Sequence, residues 1–147
     1  MTISTTIIKN SYSGNGSTTA FTYNFKITAE TEIQVIVKTN ATGAESVRSI
    51  GTGSTNYAVS GVGNNSGTVT FVTAPTSAET VVLRRSTSQT QEMDLIDNDP
   101  MSADTIETAH DKVIAISQEL QEQIERSLKI SRANTMTSTE FVTSATD

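Results

Sequence analysis

The sequence predicts a mainly β fold: an antiparallel β-sandwich or small barrel of about seven short strands, followed by one long C-terminal α-helix. Three observations carry this. Short β-branched or aromatic runs recur through residues 1–92, separated by turns rich in Gly and Asn. From Ile106 onward the apolar period changes from two to between three and four, the signature of an amphipathic helix. Aromatic residues make up only 5% of the 147 residues, which suits half-exposed strands better than a large core.

The elements follow in order. Ile3 to Tyr12 is β-branched and free of turn residues, as a first strand should be. Gly14-Asn15-Gly16 supplies residues that tolerate positive φ, a tight-turn signal. Thr19 to Phe25 follows, with Phe21, Tyr23 and Phe25 at alternate positions. In a strand these rings share one face, which makes them the main aromatic part of the core; an exposed sugar-stacking platform is the second reading. Glu32 to Lys38 alternates again through Ile33, Val35 and Val37, and Val47 to Ile50 is a candidate short strand. Tyr57 to Ser60, Thr68 to Val72 and Thr80 to Arg85 complete the set, with Ala74-Pro75 interrupting between the last two. The loops GTGS (51–54) and GVGNNSG (61–67) lack the Lys-Ser/Thr of a phosphate loop and open no helix, so they are read as turns.

A helix is expected over 104–131. Ile106, Ala109, Val113, Ile116, Leu120, Ile124 and Leu128 recur three or four apart. At about 100° per residue they occupy less than about a third of the helix circumference. The rod would be roughly 42 Å long, longer than a small β domain is wide, so part of the stripe needs cover elsewhere. Ile106, Val113 and Leu120 are spaced by seven, as are Ala109 and Ile116, which makes a heptad-like seam; beyond Leu120 the spacing becomes four and four. One simple arrangement packs the helix on its own β domain first and on copies of itself later. Ser102 is the expected N-cap, and Arg126, Lys129 and Arg132 suit the C-terminal carbonyls.

Composition excludes several functions. The chain has no Cys and one His, His110, so disulfides, thiolate sites and His-rich metal centres are ruled out. No apolar run approaches the roughly 18 residues that span a bilayer, so no membrane insertion is expected, and MTISTTIIKN lacks the layout of a signal peptide. The net charge of −6 is uneven: residues 1–92 are near neutral, while the linker 93–103, with Asp94, Asp97 and Asp99, and the helix are acidic. Arg84-Arg85 is the only basic doublet, and nucleic-acid binding wants a clustered basic face instead. Asp94, Asp97 and Asp99 lack the glycine and distal glutamate of a calcium loop. No Ser/His/Asp constellation can be assembled, so no catalytic, cofactor or metal residue is expected. The tail 132–147 is polar, with Phe141-Val142 as its one apolar pair and candidate docking peptide.

Certain stretches are familiar: YSGNGSTTAFTYNF (12–25), YAVSG (57–61), GTVTF (67–71) with Ala74-Pro75, VVLRRSTSQTQ (81–91), and NDPMSADTIETAHDK with QELQEQIERSLKIS (98–131). In this order and spacing they resemble the N-terminal, tail-attachment domain of tail-fibre proteins from short-tailed autographiviruses, the T-seven-like phages, over about residues 10–131. The resemblance implies a structural virion protein, not an enzyme. Residues 1–92 would anchor a homotrimeric fibre to adaptor or nozzle proteins of the tail, and the helix would pack beside two symmetry mates. Such fibres continue into a long shaft, whereas this sequence stops at Asp147; a split fibre with a distal receptor-binding protein docked on the tail, or a reduced connector, is expected. A small carbohydrate-binding module is the alternative.

Overall fold

A computed structural model describes residue 3, residues 5–90 and residues 102–127. Seven strands and one long helix lie among them: β1 (Lys9–Ser13), β2 (Ala20–Tyr23), β3 (Ile33–Thr39), β4 (Glu45–Val47), β5 (Tyr57–Ser60), β6 (Gly67–Phe71), β7 (Glu79–Arg85) and α1 (Ala103–Arg126). The strands form two antiparallel sheets, ordered β1-β7-β3-β4 and β2-β6-β5.

In β2, β3, β5, β6 and β7, strand alternation sends odd-numbered residues inward. Ile33, Val35, Val37, Val81 and Leu83 come from the first sheet, and Phe21, Tyr23, Tyr57, Val69 and Phe71 from the second, to make one core with Phe25 and Ile27. This is a sandwich. Phe21 meets Phe71 edge-on at 5.6 Å, and Tyr23 lies 5.2 Å from Phe25, within the range of favourable ring pairs. The buried phenols are satisfied: Tyr23 donates to the Ser60 carbonyl at 2.8 Å and Tyr57 to the Ile33 carbonyl at 3.3 Å. Burial raises the pKa of both hydroxyls. Gly67 faces Tyr23 across the β2–β6 ladder. A Cβ there would stand 2.1 Å from the Tyr23 hydroxyl and 2.2 Å from the Ser60 carbonyl, so only glycine lets the phenol reach its acceptor.

The expected order of elements holds, with three shifts. The first strand begins at Lys9, not Ile3. Upstream of it the chain leaves the sheet to run against α1, where polar side chains offer partners for its backbone. The candidate strand at Val47–Ile50 is instead Glu45–Val47, because Gly43 at φ +72° turns the chain early enough for Glu45 to pair with Lys38; Ile50 keeps one isolated bridge to Tyr57. The helix is described from Ala103 to Arg126 with Ser127 as its C-cap. Leu128, Lys129, Arg132, most of the acidic linker and the 132–147 tail with Phe141 and Val142 lie outside the described residues.

Phe21, Tyr23 and Phe25 are at most 5% exposed, as the core reading expects, and the second reading of them as a sugar-stacking platform is corrected. Their packing between the sheets leaves no ring face for a ligand. The GVGNNSG stretch is the β5–β6 connection, with Gly61 at φ +83° and Gly63 at +84°; it is a hairpin turn.

Candidate functional site

Helix α1 starts where its sequence says it should. Ser102 is extended, and its hydroxyl accepts from Thr105 N at 3.1 Å, satisfying one of the amides that a helix start leaves open. Asp104 in the first turn and Arg126 in the last oppose the helix dipole favourably.

The side of α1 that docks on the sandwich is the polar one. Asp111, Ala115 and Glu119 are its buried residues, with Gln118 and Glu122 half-buried beside them. Arg85, at the end of β7, is 1% exposed. Its guanidinium donates from Nε to Glu119 Oε1 at 3.1 Å, and from Nη2 to Gln118 Oε1 at 2.6 Å and the Ala115 carbonyl at 3.2 Å. Glu119 also accepts from the Thr87 backbone N–H and hydroxyl. Lys26 Nζ lies 3.0 Å from Asp111 Oδ2, while Asp111 Oδ1 accepts from Ile3 N at 3.0 Å. Gln118 Nε2 donates to the Thr5 carbonyl at 3.0 Å, so the N-terminal segment is strapped to the same face.

Glu122 completes the cradle, 2.7 Å from Arg126 Nε, 3.5 Å from Lys9 Nζ and 3.7 Å from Arg84 Nη2. Burial pushes its carboxyl up, but the hydrogen bond and charge of Arg126, with the charges of Arg84 and Lys9, outweigh that and hold it below the ordinary value. Arg84 Nε, Arg85 Nη1 and Glu122 Oε2 are buried without a hydrogen-bond partner.

The expected stripe faces the other way. Val113 is 63% exposed, Ile124 53%, Leu120 47% and Ile106 36%, while Ala109 and Ile116 are half-buried. At about 100° per residue these six span roughly 80° of the helix, and Asp111, Ala115, Glu119 and Glu122 span roughly 80° centred about 140° away. The helix packs on its own domain, as expected, but through its charged face, which meets the complementary Arg and Lys side chains, while the apolar face points out. Gln89 and Thr90 run beside Ala109, Val113 and Ile116 and border a groove of about 680 Å³ along the first half of the stripe. His110 lies on the exposed surface at its edge. Leu128, the last expected stripe residue, is not described.

The sequence reading missed the cradle of Lys26, Arg84, Arg85, Asp111 and Glu119. Its signals were present as a basic doublet inside a strand and as acidic residues at 111, 119 and 122 on one helix face. Among the described residues no group of His, Cys, Asp and Glu is placed to hold a metal ion, and no helix is long and apolar enough to cross a membrane.

No family model matches the chain. It is similar to a tail spike protein of Salmonella phage epsilon15, with 30% identity over 131 residues that cover 88% of this chain. The chain spans 12% of that protein's length. The likeness supports a bacteriophage tail protein, a structural component of the virion.

Proposed function

We propose that the chain is the base of a homotrimeric tail fibre or spike: a structural adaptor that holds a fibre on the phage tail and helps present the host-recognition apparatus. The observation that carries this reading is the orientation of α1. The helix is held to its own sandwich by its charged face, and Ile106, Val113, Leu120 and Ile124 stay exposed along the opposite one. An amphipathic helix whose apolar side is uncovered by its own domain is built for a partner. The seven-residue spacing of Ile106, Val113 and Leu120 suits packing against identical helices around a threefold axis. If each helix buries about 400 Å² of apolar surface, the gain is on the order of 10 kcal/mol per helix before entropy is subtracted, enough to sustain a trimer.

In this proposal the sandwich binds adaptor or nozzle proteins of the tail, and the segment beyond α1, with Phe141 and Val142, offers a docking peptide to a distal fibre or receptor-binding protein. The chain acts by assembly rather than catalysis, takes no cofactor, and neither binds nucleic acid nor enters a membrane. It is made in the host cytoplasm before joining the virion. Light scattering on the full chain tests the trimer: the expected mass is three times 15.7 kDa, and a single-chain mass at micromolar concentration refutes it. A pull-down with purified tail proteins, using the full chain and a 1–131 truncation, tests the docking peptide. Capture of the same set by both removes residues 132–147 from that role.

A further inference from the structure

The docked face of α1 has the wrong chemistry for simple adhesion. Its buried residues are two carboxylates and one alanine, although the same helix carries a continuous apolar stripe. An amphipathic helix by default turns its apolar side to its own domain. Buried ion pairs are poor substitutes for apolar packing in stability, but they are demanding about geometry. Here the demand is strict. The Arg85 guanidinium reaches the Ala115 carbonyl, the Gln118 amide oxygen and the Glu119 carboxylate at once. Lys26 and Ile3 N take the two oxygens of Asp111, two turns earlier on the same face. A rotation of the helix by one residue breaks contacts at both points together.

We infer that Arg85 and Lys26, acting on Glu119 and Asp111, are a rotational key: they fix α1 about its own axis so that the apolar stripe is presented to other copies of the chain instead of closing onto its own sandwich. This rests on the self-association proposed above, and it assigns these four residues a positioning role in that assembly. Removing the charges takes away the one arrangement that favours the polar face. The helix then rolls to bury its stripe against its own domain, beside Ile8 and the N-terminal strap, and the surface needed for assembly is lost.

The chain has no cysteine, so nitroxide labels can be placed cleanly at Lys38→Cys on β3 and Gln121→Cys on α1, both exposed positions. Labelled chains are diluted into unlabelled ones, so that electron–electron distances report within a chain, and mass is read in parallel by light scattering. For Arg85→Met/Asp111→Leu/Glu119→Met the key predicts a folded protein with a shifted label distance and loss of the three-chain mass. An unchanged distance, or a shifted distance with the mass retained, overturns it. A wild-type protein of one-chain mass defeats the self-association reading, while the distance measurement still decides whether the charges set the rotation. Should the triple variant unfold, Lys26→Asp and Asp111→Lys decide: each alone shifts the distance, the exchanged pair restores it, and failure to restore it refutes the key.

Discussion

Arg85→Met removes one partner from the most deeply buried charge pair among the described residues. The Arg85 side chain is 1% exposed and that of Glu119 9%, at 3.1 Å. Removing one member of such a pair leaves a buried charge without its counter-ion, which costs about 3–5 kcal/mol. Glu119 keeps the Thr87 backbone N–H and hydroxyl as donors, so the lower end, about 3 kcal/mol, is expected. Undocking of α1 would expose Glu119 to water, so the cost cannot exceed the free energy of docking. Against a total of about 5–15 kcal/mol this is a large fraction. For a chain of this size it lowers Tm by about 6–12 °C. Arg85→Met/Glu119→Met removes both charges and should lie within about 1 kcal/mol of wild type, because the intact Lys26–Asp111 pair still orients the helix while two flexible apolar side chains fill the space without an ion to desolvate. Urea denaturation followed by far-UV circular dichroism, at matched protein concentration because assembly makes stability concentration-dependent, gives all four corners of the double-mutant cycle. A single variant costing under about 1 kcal/mol, or a double variant costing the sum of the singles, refutes the claim that the pair is one buried unit.

Three further outcomes are expected. Val113→Asp, at a position 63% exposed in the single chain, should leave the protomer within about 0.5 kcal/mol. It should weaken a trimer by at least about 6 kcal/mol, roughly 2 for each lost valine contact or about 10⁴ in the association constant, so that light scattering returns a one-chain mass. Gly67→Ala should cost about 1–3 kcal/mol in chemical denaturation, since its Cβ meets the Tyr23 hydroxyl and the Ser60 carbonyl; Tyr23→Phe/Gly67→Ala, with the hydroxyl gone, should recover part of that loss. Both Glu79, held low by hydrogen bonds from Thr76 and the charge of Arg48, and Glu122 have folded-state values below the ordinary 4.5. Their contribution is present above that value and lost as pH falls through the depressed folded values, so stability should be flat toward neutrality and decline below about pH 4.5. Glu122→Gln should flatten that decline, and an unchanged acid limb would count against the cradle charges.

The residue pattern made the sandwich legible because one force governed it. Alternation at Phe21-Tyr23-Phe25, Ile33-Val35-Val37 and Val81-Leu83 marks the buried face of each strand, and Gly16, Gly43 and Gly61 mark turns at positive φ. Pairing order was less legible, since β1 joins β7 and β2 joins β6 by contacts between residues far apart in sequence. The helix shows where pattern reasoning stops. Period alone identified the stripe from Ile106 to Ile124, but period says only which residues share a face, not which face docks. The rule that apolar faces turn inward would pick the wrong docking side, because Asp111, Glu119 and Glu122 look like solvated charges until Lys26, Arg84 and Arg85 are brought to them by the fold. The basic doublet was the sharper local hint. In a strand, neighbouring residues point to opposite faces, so one arginine of an adjacent pair at the end of β7 must turn inward, and a buried arginine needs an anion. The acidic side of α1 is the anion. Once that debt is settled inside the chain, the apolar side of the helix is the part that the described residues leave unpartnered, and an assembly protein is what such an arrangement can build.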